Sequence, residues 1–551
     1  MVLKHLILSL FVTCTFIVNS QLLQVQREYT RADTLRGTLR PERTSFDVLK
    51  YNLNIKVEPN KKYISGYNTI SFLVLEELPI MQLDLFSNMQ VDSIVFHGKT
   101  LAYKREYNAV FISFESSLLP ETTDSLSFYF SGHPLEAKNP PWDGGFIFTK
   151  DKNGKDWISV AVQGTGASLW YPNKDHQSDK PEAAEMHIST PNDLTTVSNG
   201  RLIGKKKLED GFTQWSWKVI HPINNYNITL YIGDYVHFSD TFRDLDLDYY
   251  VLSYNLEKAK KQFSEVQPMM ECFYNHFGEY PFAEDSYKLV ESSYLGMEHQ
   301  SAIAYGNKYK MGYDGTDASL SGVGLNFDFI IIHESAHEWF GNSISSSDIA
   351  DMWIHEAFTS YAESVYIEYR WGKDKALAYL NGLRKTMVFN RQPIIGDYGV
   401  NKEGSTDMYY KGANMLNTIR SVINDDEKWW ELLKEFSETF KHTITNTEEV
   451  IQFFESHSEE TLTPIFKVYL YHSEIPILQF KKEDESVFYR WKTSVENFEM
   501  PVDVIIKKQT KRIYPNKNWQ KLEGTRKIKH VDPNLDRFYI KAEILNEVST
   551  F

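Results

Sequence analysis

The feature that most constrains this chain is a pair of histidines, His333 and His337, set four residues apart within an apolar run. Residues 330–340 read I-I-I-H-E-S-A-H-E-W-F, a pattern that suits a helix and puts both imidazoles on one helical face. The apolar neighbours indicate that this helix is buried. Either both imidazoles bind one metal ion, or this is a core helix whose histidines are hydrogen-bonded to other groups.

A metal site of this kind needs a third protein ligand, because catalytic zinc has three protein ligands and one open position. Glu356 follows His337 after eighteen intervening residues, on a second amphipathic segment that can face the first helix. Glu363 lies one heptad further along and is a competing ligand. His355 projects about 100° away from Glu356, so we interpret it as a supporting or structural residue. The sequence therefore predicts one Zn2+ ion per chain, bound by His333, His337 and Glu356.

A glutamate beside the first histidine supplies the remaining chemistry. Glu334 is placed to take a proton from the attacking water and to deliver it to the leaving amine. No nucleophilic side chain is needed, because water is the attacking group. These residue types at this spacing predict metal-assisted hydrolysis of an amide bond.

The histidine motif with its distant glutamate resembles the gluzincin branch of zinc metallopeptidases. Residues 294–300 read Y-L-G-M-E-H-Q and resemble the G-x-M-E-N motif of the aminopeptidase N family, with Glu298 placed 35 residues before the first histidine. The resemblance implies that Glu298 binds the free α-amine of a peptide, and that the backbone at Gly296 and Met297 pairs with the substrate as an added strand. Leucine and histidine replace the first glycine and the asparagine of the family pattern, which leaves the loop's shape open.

Two more segments resemble the same family. Gln163 is similar to the residue that shares the substrate amine with the motif glutamate; the alternative is a polar loop residue. Residues 409–413 read Y-Y-K-G-A and resemble the family's Y-x-K-G-A, whose first tyrosine donates a hydrogen bond to the oxyanion. That resemblance assigns Tyr409 as the donor, with Tyr410 as its rival.

Hydrophobic patterning divides the chain into three regions. Alternating apolar and polar residues predict strands at 48–57, 67–75, 126–130, 184–188 and 226–232. Longer amphipathic segments predict helices at 259–277, 325–339, 349–369, 373–388, 411–423 and 428–440. Alternation returns from residue 477. We therefore expect a multidomain α+β chain with an N-terminal β-sandwich-like domain, a mostly helical catalytic domain, which the resemblance implies is thermolysin-like, and a small C-terminal β-sandwich.

The expected limits of the segments and domains follow from these patterns. They are 1–20 for a signal peptide, 21–45 for a leader that orders weakly or packs on the surface, 46–240 for the N-terminal β domain, 241–470 for the zinc-binding domain and 471–551 for the C-terminal β domain. The family resemblance covers about residues 46–545. It implies a short form without the large C-terminal helical domain of some members, so we expect a more open site unless oligomerisation covers it.

The N-terminus predicts export. Lys4, the apolar stretch 6–18 and the small residues before Gln21 form a cleavable signal peptide, which directs a chain to the periplasm or the extracellular space. An uncleaved anchor is less favoured because the apolar run is shorter than the roughly 20 residues of a span, and a lipid-modified Cys14 is weaker still. No stable membrane span remains after cleavage. Cys272 is then the only cysteine, and we expect a buried packing residue.

The net charge and the chemistry of the site limit which molecules this chain can bind. The net charge is −15 and no long basic run is present, which disfavours nucleic acid. The expected substrates are peptides with a free N-terminus. The alternatives are a bifunctional epoxide hydrolase/aminopeptidase and an inactive peptide-binding protein on the same scaffold, while the Glu298 motif disfavours a plain endopeptidase. The oligomeric state, the preferred side chain and the physiological substrate stay open.

Overall fold

The computed structural model describes residues 28–483, 485–523 and 531–545. The signal peptide predicted at 1–20, and Cys14 with it, lie outside the described residues. Within the described ranges, no helix is long and apolar enough to cross a bilayer.

A large antiparallel-rich sheet forms the first part of the chain. Its central strand, Phe46–Glu58, alternates buried and half-buried residues and pairs in parallel with Ala183–Pro191 and antiparallel with Tyr63–Val74. One face of the sheet therefore packs into the core. In spatial order the eight strands are Arg201–Lys207, Phe212–Val219, Ala183–Pro191, Phe46–Glu58, Tyr63–Val74, Thr123–Gly132, Met89–Phe96 and Lys99–Thr100.

Two smaller sheets share a hydrophobic core with the large one. The first has the order Thr195–Ser198, Leu230–Gly233, Asp156–Ala161 and Gly145–Lys150. The second has the order Leu78–Asp84, Ala109–Leu118 and Ala102–Glu106. The strand expected at 226–232 begins only at Leu230, because Asn225–Asn227 forms a 3-10 turn in which all three residues are buried.

A five-stranded sheet in the middle of the chain was not foreseen from the sequence. Its order is Tyr235–Phe242, Leu245–Leu252, Tyr287–Glu291, Ile303–Tyr305 and Gly296–Met297. The boundary expected between residues 240 and 241 lies within the first of these strands. The third strand is buried at all five positions and shows no alternation for a sequence pattern to detect.

The helices of the middle region pack around two that matter most for the site. We call Phe329–Ala336 the histidine helix and Trp353–Trp371 the glutamate helix. The histidine helix is shorter than the expected segment 325–339 because Asp328 caps its start. The other α-helices of this region are Leu256–Gln262, Val266–Phe277, Lys373–Thr386, Tyr410–Ile423, Asp426–Thr439, Thr447–Ser456 and Thr463–Leu470. Cys272 is buried among them, and this burial raises the pKa of its thiol.

The last part of the chain is again strand-rich. A four-stranded sheet has the order Gln520–Lys521, Ser486–Lys492, Ile477–Glu483 and Lys541–Leu545, and a three-stranded sheet has the order Gln509–Ile513, Val502–Ile506 and Asp532–Pro533. Their buried apolar residues belong to the same hydrophobic core as the helices. A short parallel pair, Ser345–Ser346 with Ile444–Thr445, lies beside the glutamate helix, whose His355 accepts from the backbone N–H of Ser346.

The leader, expected to order weakly or to pack on the surface, forms two short helices in its described part, Arg31–Gly37 and Pro41–Thr44. Thr30 and Asp33 form a reciprocal capping box at the start of the first helix. Leu35 is buried, and the guanidinium of the fully buried Arg43 donates to the carboxylate of Asp84. The leader therefore packs into the protein.

Candidate metal centre

The histidine helix is held rigidly at its start. The carboxylate of Asp328 accepts hydrogen bonds from the backbone N–H groups of Ile330 and Ile331, which satisfies two donors that a helix start leaves free. Its side chain also accepts from the Tyr305 hydroxyl and the Asn307 amide, each at 2.7 Å. Every residue of the helix is buried. The orientation of the histidine helix is therefore set by buried polar contacts as well as by packing.

The two histidines and Glu356 meet at one point. His337 Nε2 lies 3.5 Å from Glu356 Oε2, and His333 Nε2 lies 3.8 Å from the same oxygen. Two atoms each about 2.1 Å from a tetrahedral zinc ion are about 3.4 Å apart, so these separations suit a shared ion. The three residues form a candidate metal-binding group.

The hydrogen bonding of Glu356 supports this interpretation. Oε2 of Glu356 is buried and has no hydrogen-bond partner among the residues that the structure describes. A buried carboxylate oxygen without a donor is costly, and a metal ion removes that cost. Two imidazoles and one carboxylate are also a donor set that zinc takes in catalytic sites. The residues present therefore fit a zinc ion.

The other ring nitrogen of each histidine is bound to a neighbour. His333 Nδ1 lies 2.7 Å from Glu363 Oε1, and His337 Nδ1 lies 2.9 Å from the Phe340 carbonyl oxygen. These contacts place the proton on Nδ1 and leave both Nε2 atoms free to bind metal. Glu363, the competing ligand of the sequence analysis, therefore orients His333 and also accepts from the Tyr379 hydroxyl at 2.7 Å.

Burial keeps both imidazoles neutral. It lowers the pKa of His333 to about 3, and it lowers the pKa of His337 well below its usual value, with the charge of His333 acting in the same direction. A neutral imidazole is the form that binds metal. His355 is also fully buried, but its Nε2 accepts from the backbone N–H of Ser346 at 2.9 Å, which is a structural contact.

Two further carboxylates border the metal ligands. Glu298, Glu334 and His337 each bring one donor atom within 4.8 Å of the others. Burial raises the pKa of Glu334 well above its usual value, and the charges of Glu298 and Glu356 raise it further. Burial also raises the pKa of Glu298 to about 7. The site thus concentrates acidic groups in a volume with little solvent.

Gln163 joins this acidic group from the N-terminal β region. Its amide nitrogen donates to Glu298 Oε1 at 2.5 Å and reaches Glu356 Oε1 at 3.5 Å. The sequence offered only a resemblance for this residue, yet the structure brings it across 135 residues of chain to the predicted partner.

The strand Gly296–Met297 lies at the edge of the five-stranded sheet and borders the site. A Cβ atom on Gly296 would come within 2.5 Å of Glu334 Oε1, so only glycine lets the strand approach this carboxylate. Met297 is buried beside it. An edge strand has backbone groups available for pairing with an extended peptide.

The two tyrosines differ in their surroundings. The Tyr409 ring lies 6.3 Å from the His333 ring, centroid to centroid. Burial raises the pKa of Glu356 well above its usual value, and the Tyr409 hydroxyl partly opposes this effect. After burial, Glu356 is the largest cause of the raised pKa of Tyr409, whereas Glu363 is the largest for Tyr410. Tyr409 thus lies on the side of the metal ligands, and its phenol keeps its proton.

A cavity of about 630 Å³ leads from this group to the surface. Its rim carries exposed apolar side chains, of which Trp142 is 65% exposed and Phe389 is 55% exposed. No sequence motif indicates these residues, nor Glu403, a further acidic residue of the lining. Trp142 lies in the loop before Gly145–Lys150, whereas Phe389 and Glu403 lie in the long connection between Lys373–Thr386 and Tyr410–Ile423.

The comparison with known proteins agrees with the sequence motifs. Residues 254–469 match the sequence profile of the Peptidase family M1 domain. The chain carries a Peptidase family M1 domain. This match spans both helices that hold the predicted ligands, and it confirms the family resemblance that the sequence motifs indicated.

Similar proteins include aminopeptidases. The chain is 24% identical to aminopeptidase N of Escherichia coli (strain K12) over 309 residues, which are 52% of this chain and 34% of that protein. It is 18% identical to probable aminopeptidase 2 of Sulfurisphaera tokodaii over 529 residues, 91% of this chain and 64% of that protein. The chain thus spans between a third and two thirds of the length of these two relatives.

A solved structure shows the same fold. The M1 zinc metallopeptidase from Deinococcus radiodurans superimposes with a TM-score of 0.67 at 17% identity, covering 80% of this chain and 96% of that chain. The M1 peptidase domain therefore occurs here in a multidomain α+β chain with a β-rich N-terminal region and a helical middle domain.

The contact between Glu363 and His333 predicts an effect on metal affinity. Replacing Glu363 by alanine removes the acceptor that orients the ring, so we expect zinc affinity to fall about 10- to 100-fold. Chelator competition measures this. Glu368→Ala, five residues further along the same helix, is the matched control and should leave the affinity unchanged. Equal affinity in both variants would contradict the orienting role.

Proposed function

We propose that the chain is a zinc aminopeptidase that removes N-terminal residues from peptides. The observation that carries this proposal is the position of Glu298. Its carboxylate lies beside the metal-binding group and accepts a hydrogen bond from Gln163, whose amide also reaches Glu356. An acidic side chain beside the metal ligands can bind the α-ammonium group of a peptide. That group belongs to the first residue, whose carbonyl forms the bond that is cleaved.

The buried acid provides a physical reason for selecting free N-termini. Glu298 is only 2% exposed, so its charged form is stabilised most by a cationic partner in direct contact. A peptide with an unblocked α-amine supplies that partner. An acetylated peptide leaves the carboxylate desolvated and unpaired, which costs roughly 1–3 kcal/mol or more.

The metal ligands and the residues around them then have separate roles in hydrolysis. Zinc, held by His333, His337 and Glu356, would supply a Lewis acid that polarises the scissile carbonyl and acidifies water. Glu334 takes the proton of the attacking water and passes it to the leaving amine. The Tyr409 phenol donates to the oxyanion.

The edge strand supports the binding of the peptide backbone. Gly296 and Met297 carry backbone groups that can pair with an extended substrate, so that the chain is aligned with Glu298 at one end and the metal ligands beyond it. The apolar rim that includes Trp142 can contact substrate side chains, and we assign no preferred residue to it.

We also propose an organisation for the whole chain. Residues 46–234 form the N-terminal β domain, residues 235–470 form a thermolysin-like catalytic domain, and the strands after residue 471 form a small β-sandwich. The end of the N-terminal β domain is moved to 234 because Tyr235–Phe242 pairs with Leu245–Leu252 in the five-stranded sheet.

The residues before 21 direct export, to a periplasm or outside the cell. N-terminal sequencing of exported protein should begin at Gln21.

Free and blocked substrates provide the central test. We expect the zinc-loaded protein to hydrolyse unblocked aminoacyl p-nitroanilides and to hydrolyse their N-acetyl forms at least about tenfold more slowly, judged by kcat/KM. Glu298→Gln should shrink that ratio, since it removes the charge that pairs with the amine. Glu334→Gln should keep zinc bound and lower kcat by about 10²- to 10⁴-fold.

The outcomes separate the alternatives. Equal hydrolysis of free and blocked substrates by the wild-type protein would indicate an endopeptidase and contradict the proposal. Tight peptide binding with bound zinc and no turnover would indicate a binding protein on this scaffold.

The oxyanion assignment can be tested by a matched pair of variants. Tyr409→Phe removes the hydroxyl on the side of the metal ligands and should lower kcat by about 10²- to 10³-fold with little change in KM. Tyr410→Phe removes the neighbouring hydroxyl and should cost less than about tenfold. Steady-state kinetics on an unblocked anilide measures both, and the reverse order would transfer the role to Tyr410.

A further inference from the structure

Residues 29–38 of the leader lie between two loops that reach the cavity. One loop is the Gln163 turn, which we define as residues 162–166, and the other is residues 397–401, of which Asn401 lines the cavity. We propose that Arg36 of the leader is a positioning residue, which holds the Gln163 turn so that the Gln163 amide stays on Glu298. This inference rests on the proposed function only in giving Glu298 the substrate amine.

Arg36 contacts the Gln163 turn directly. Its Nη2 donates to the carbonyl oxygen of Gly164 at 3.2 Å and lies 3.9 Å from Asp175 Oδ2. A Cβ atom on Gly166 would come within 2.1 Å of that same nitrogen, so the guanidinium is packed against the backbone of the turn. Both the first and the last glycine of the turn have positive φ, at +70° and +100°.

The turn has few contacts of its own that could fix Gln163. Its internal hydrogen bonds run from the Thr165 N–H to the Gln163 carbonyl at 2.7 Å and from the Gly166 N–H to the Val162 carbonyl at 2.6 Å. Two glycines in five residues give the backbone wide freedom in the absence of outside contacts. A charged donor on the Gly164 carbonyl limits that freedom at the residue next to Gln163.

The same leader also holds the opposite loop. The Thr38 hydroxyl donates to the Gly399 carbonyl at 2.9 Å, and a Cβ atom on Gly37 would meet the backbone of Val400 and Asn401 at 2.3–2.5 Å. The Asn401 side chain in turn reaches the Gly164 carbonyl at 3.4 Å. The leader therefore connects the two walls of the cavity, and Arg36 is its residue that contacts the wall carrying Gln163.

Loss of Arg36 should act locally. Asp175 would keep hydrogen bonds from the backbone N–H and the hydroxyl of Ser168, so no buried carboxylate is left without donors. Gly164 would keep the longer contact from Asn401. The consequence is a looser turn and a Gln163 amide that spends less time on Glu298, with the metal ligands unaffected.

The test compares two substitutions in one helix. Arg36→Gln removes the guanidinium at the turn. Arg31→Gln is the matched control, since it removes an exposed guanidinium that pairs with Glu106 at 3.0 Å, away from the cavity lining. We expect amide hydrogen exchange within residues 162–166 to accelerate about three- to tenfold in Arg36→Gln and to stay unchanged in Arg31→Gln.

Kinetics supply a readout that general loss of stability would not give. In Arg36→Gln we expect KM for an unblocked aminoacyl p-nitroanilide to rise about three- to tenfold, with kcat within twofold and zinc content unchanged. Combined with Gln163→Ala, the effect of Arg36→Gln should largely disappear, because both changes act on the same hydrogen bond. Arg36→Lys keeps the charge facing Asp175, should show smaller effects of the same kind, and carries the test if Arg36→Gln does not fold.

The results distinguish this inference from the proposed function. Unchanged exchange at residues 162–166 in Arg36→Gln, or fully additive effects with Gln163→Ala, would overturn the positioning role. Faster exchange in a protein whose wild type cleaves free and blocked substrates equally would support the contact between Arg36 and the turn while contradicting the aminopeptidase assignment.

Discussion

The buried carboxylate of Glu356, which lies close to two imidazoles and three other glutamates, is the group on which the structure of the site depends. One carboxylate oxygen of this residue lies within 4 Å of two imidazole nitrogens and has no hydrogen-bond donor in the described part of the chain. Three further glutamates, at positions 298, 334 and 363, are buried close by. Such a group is unfavourable unless its negative charge is balanced by a cation, a proton or hydrogen-bond donors. The surrounding architecture provides donors to some of these carboxylates and leaves the Glu356 oxygen facing the imidazoles.

Each carboxylate receives a different environment from the fold. Glu363 accepts from His333 and Tyr379, which makes it an orienting group. Glu298 accepts from Gln163, while Glu334 lies against the backbone of Gly296. These differences arise because the four residues lie on different parts of the fold: Glu298 directly follows the edge strand, and the other three lie on two helices. Similar side chains can therefore hold a metal ligand, bind a substrate amine and transfer a proton within one small volume.

Much of the centre could be predicted from the sequence because it depends on helical periodicity. His333 and His337 share a helix face at any tertiary arrangement, and Glu356 begins the next amphipathic segment. The motif around Glu298 was recognisable by its resemblance to a known family. By contrast, the five-stranded sheet escaped prediction because its central strand is buried on both faces and does not alternate. The leader was expected to order weakly or to pack on the surface. Its buried contact between Arg43 and Asp84 joins residues 41 positions apart and leaves no local pattern to predict it.

The sequence by itself determined that two imidazoles four residues apart share a helix face, and it indicated a carboxylate of the following segment, Glu356 or its rival Glu363, as the third ligand. The placement of the imidazoles follows from the fixed rise and turn of an α-helix, which does not depend on the rest of the molecule. Tertiary structure alone decided that Glu363 orients His333, that Gln163 reaches Glu298 across 135 residues, and that the leader lies against the Gln163 turn. Contacts between distant segments depend on how the sheets and helices pack, and no spacing along the chain encodes them. The three-ligand centre was thus predicted from the sequence, while the surroundings that distinguish its acidic residues from one another became evident only in the folded protein.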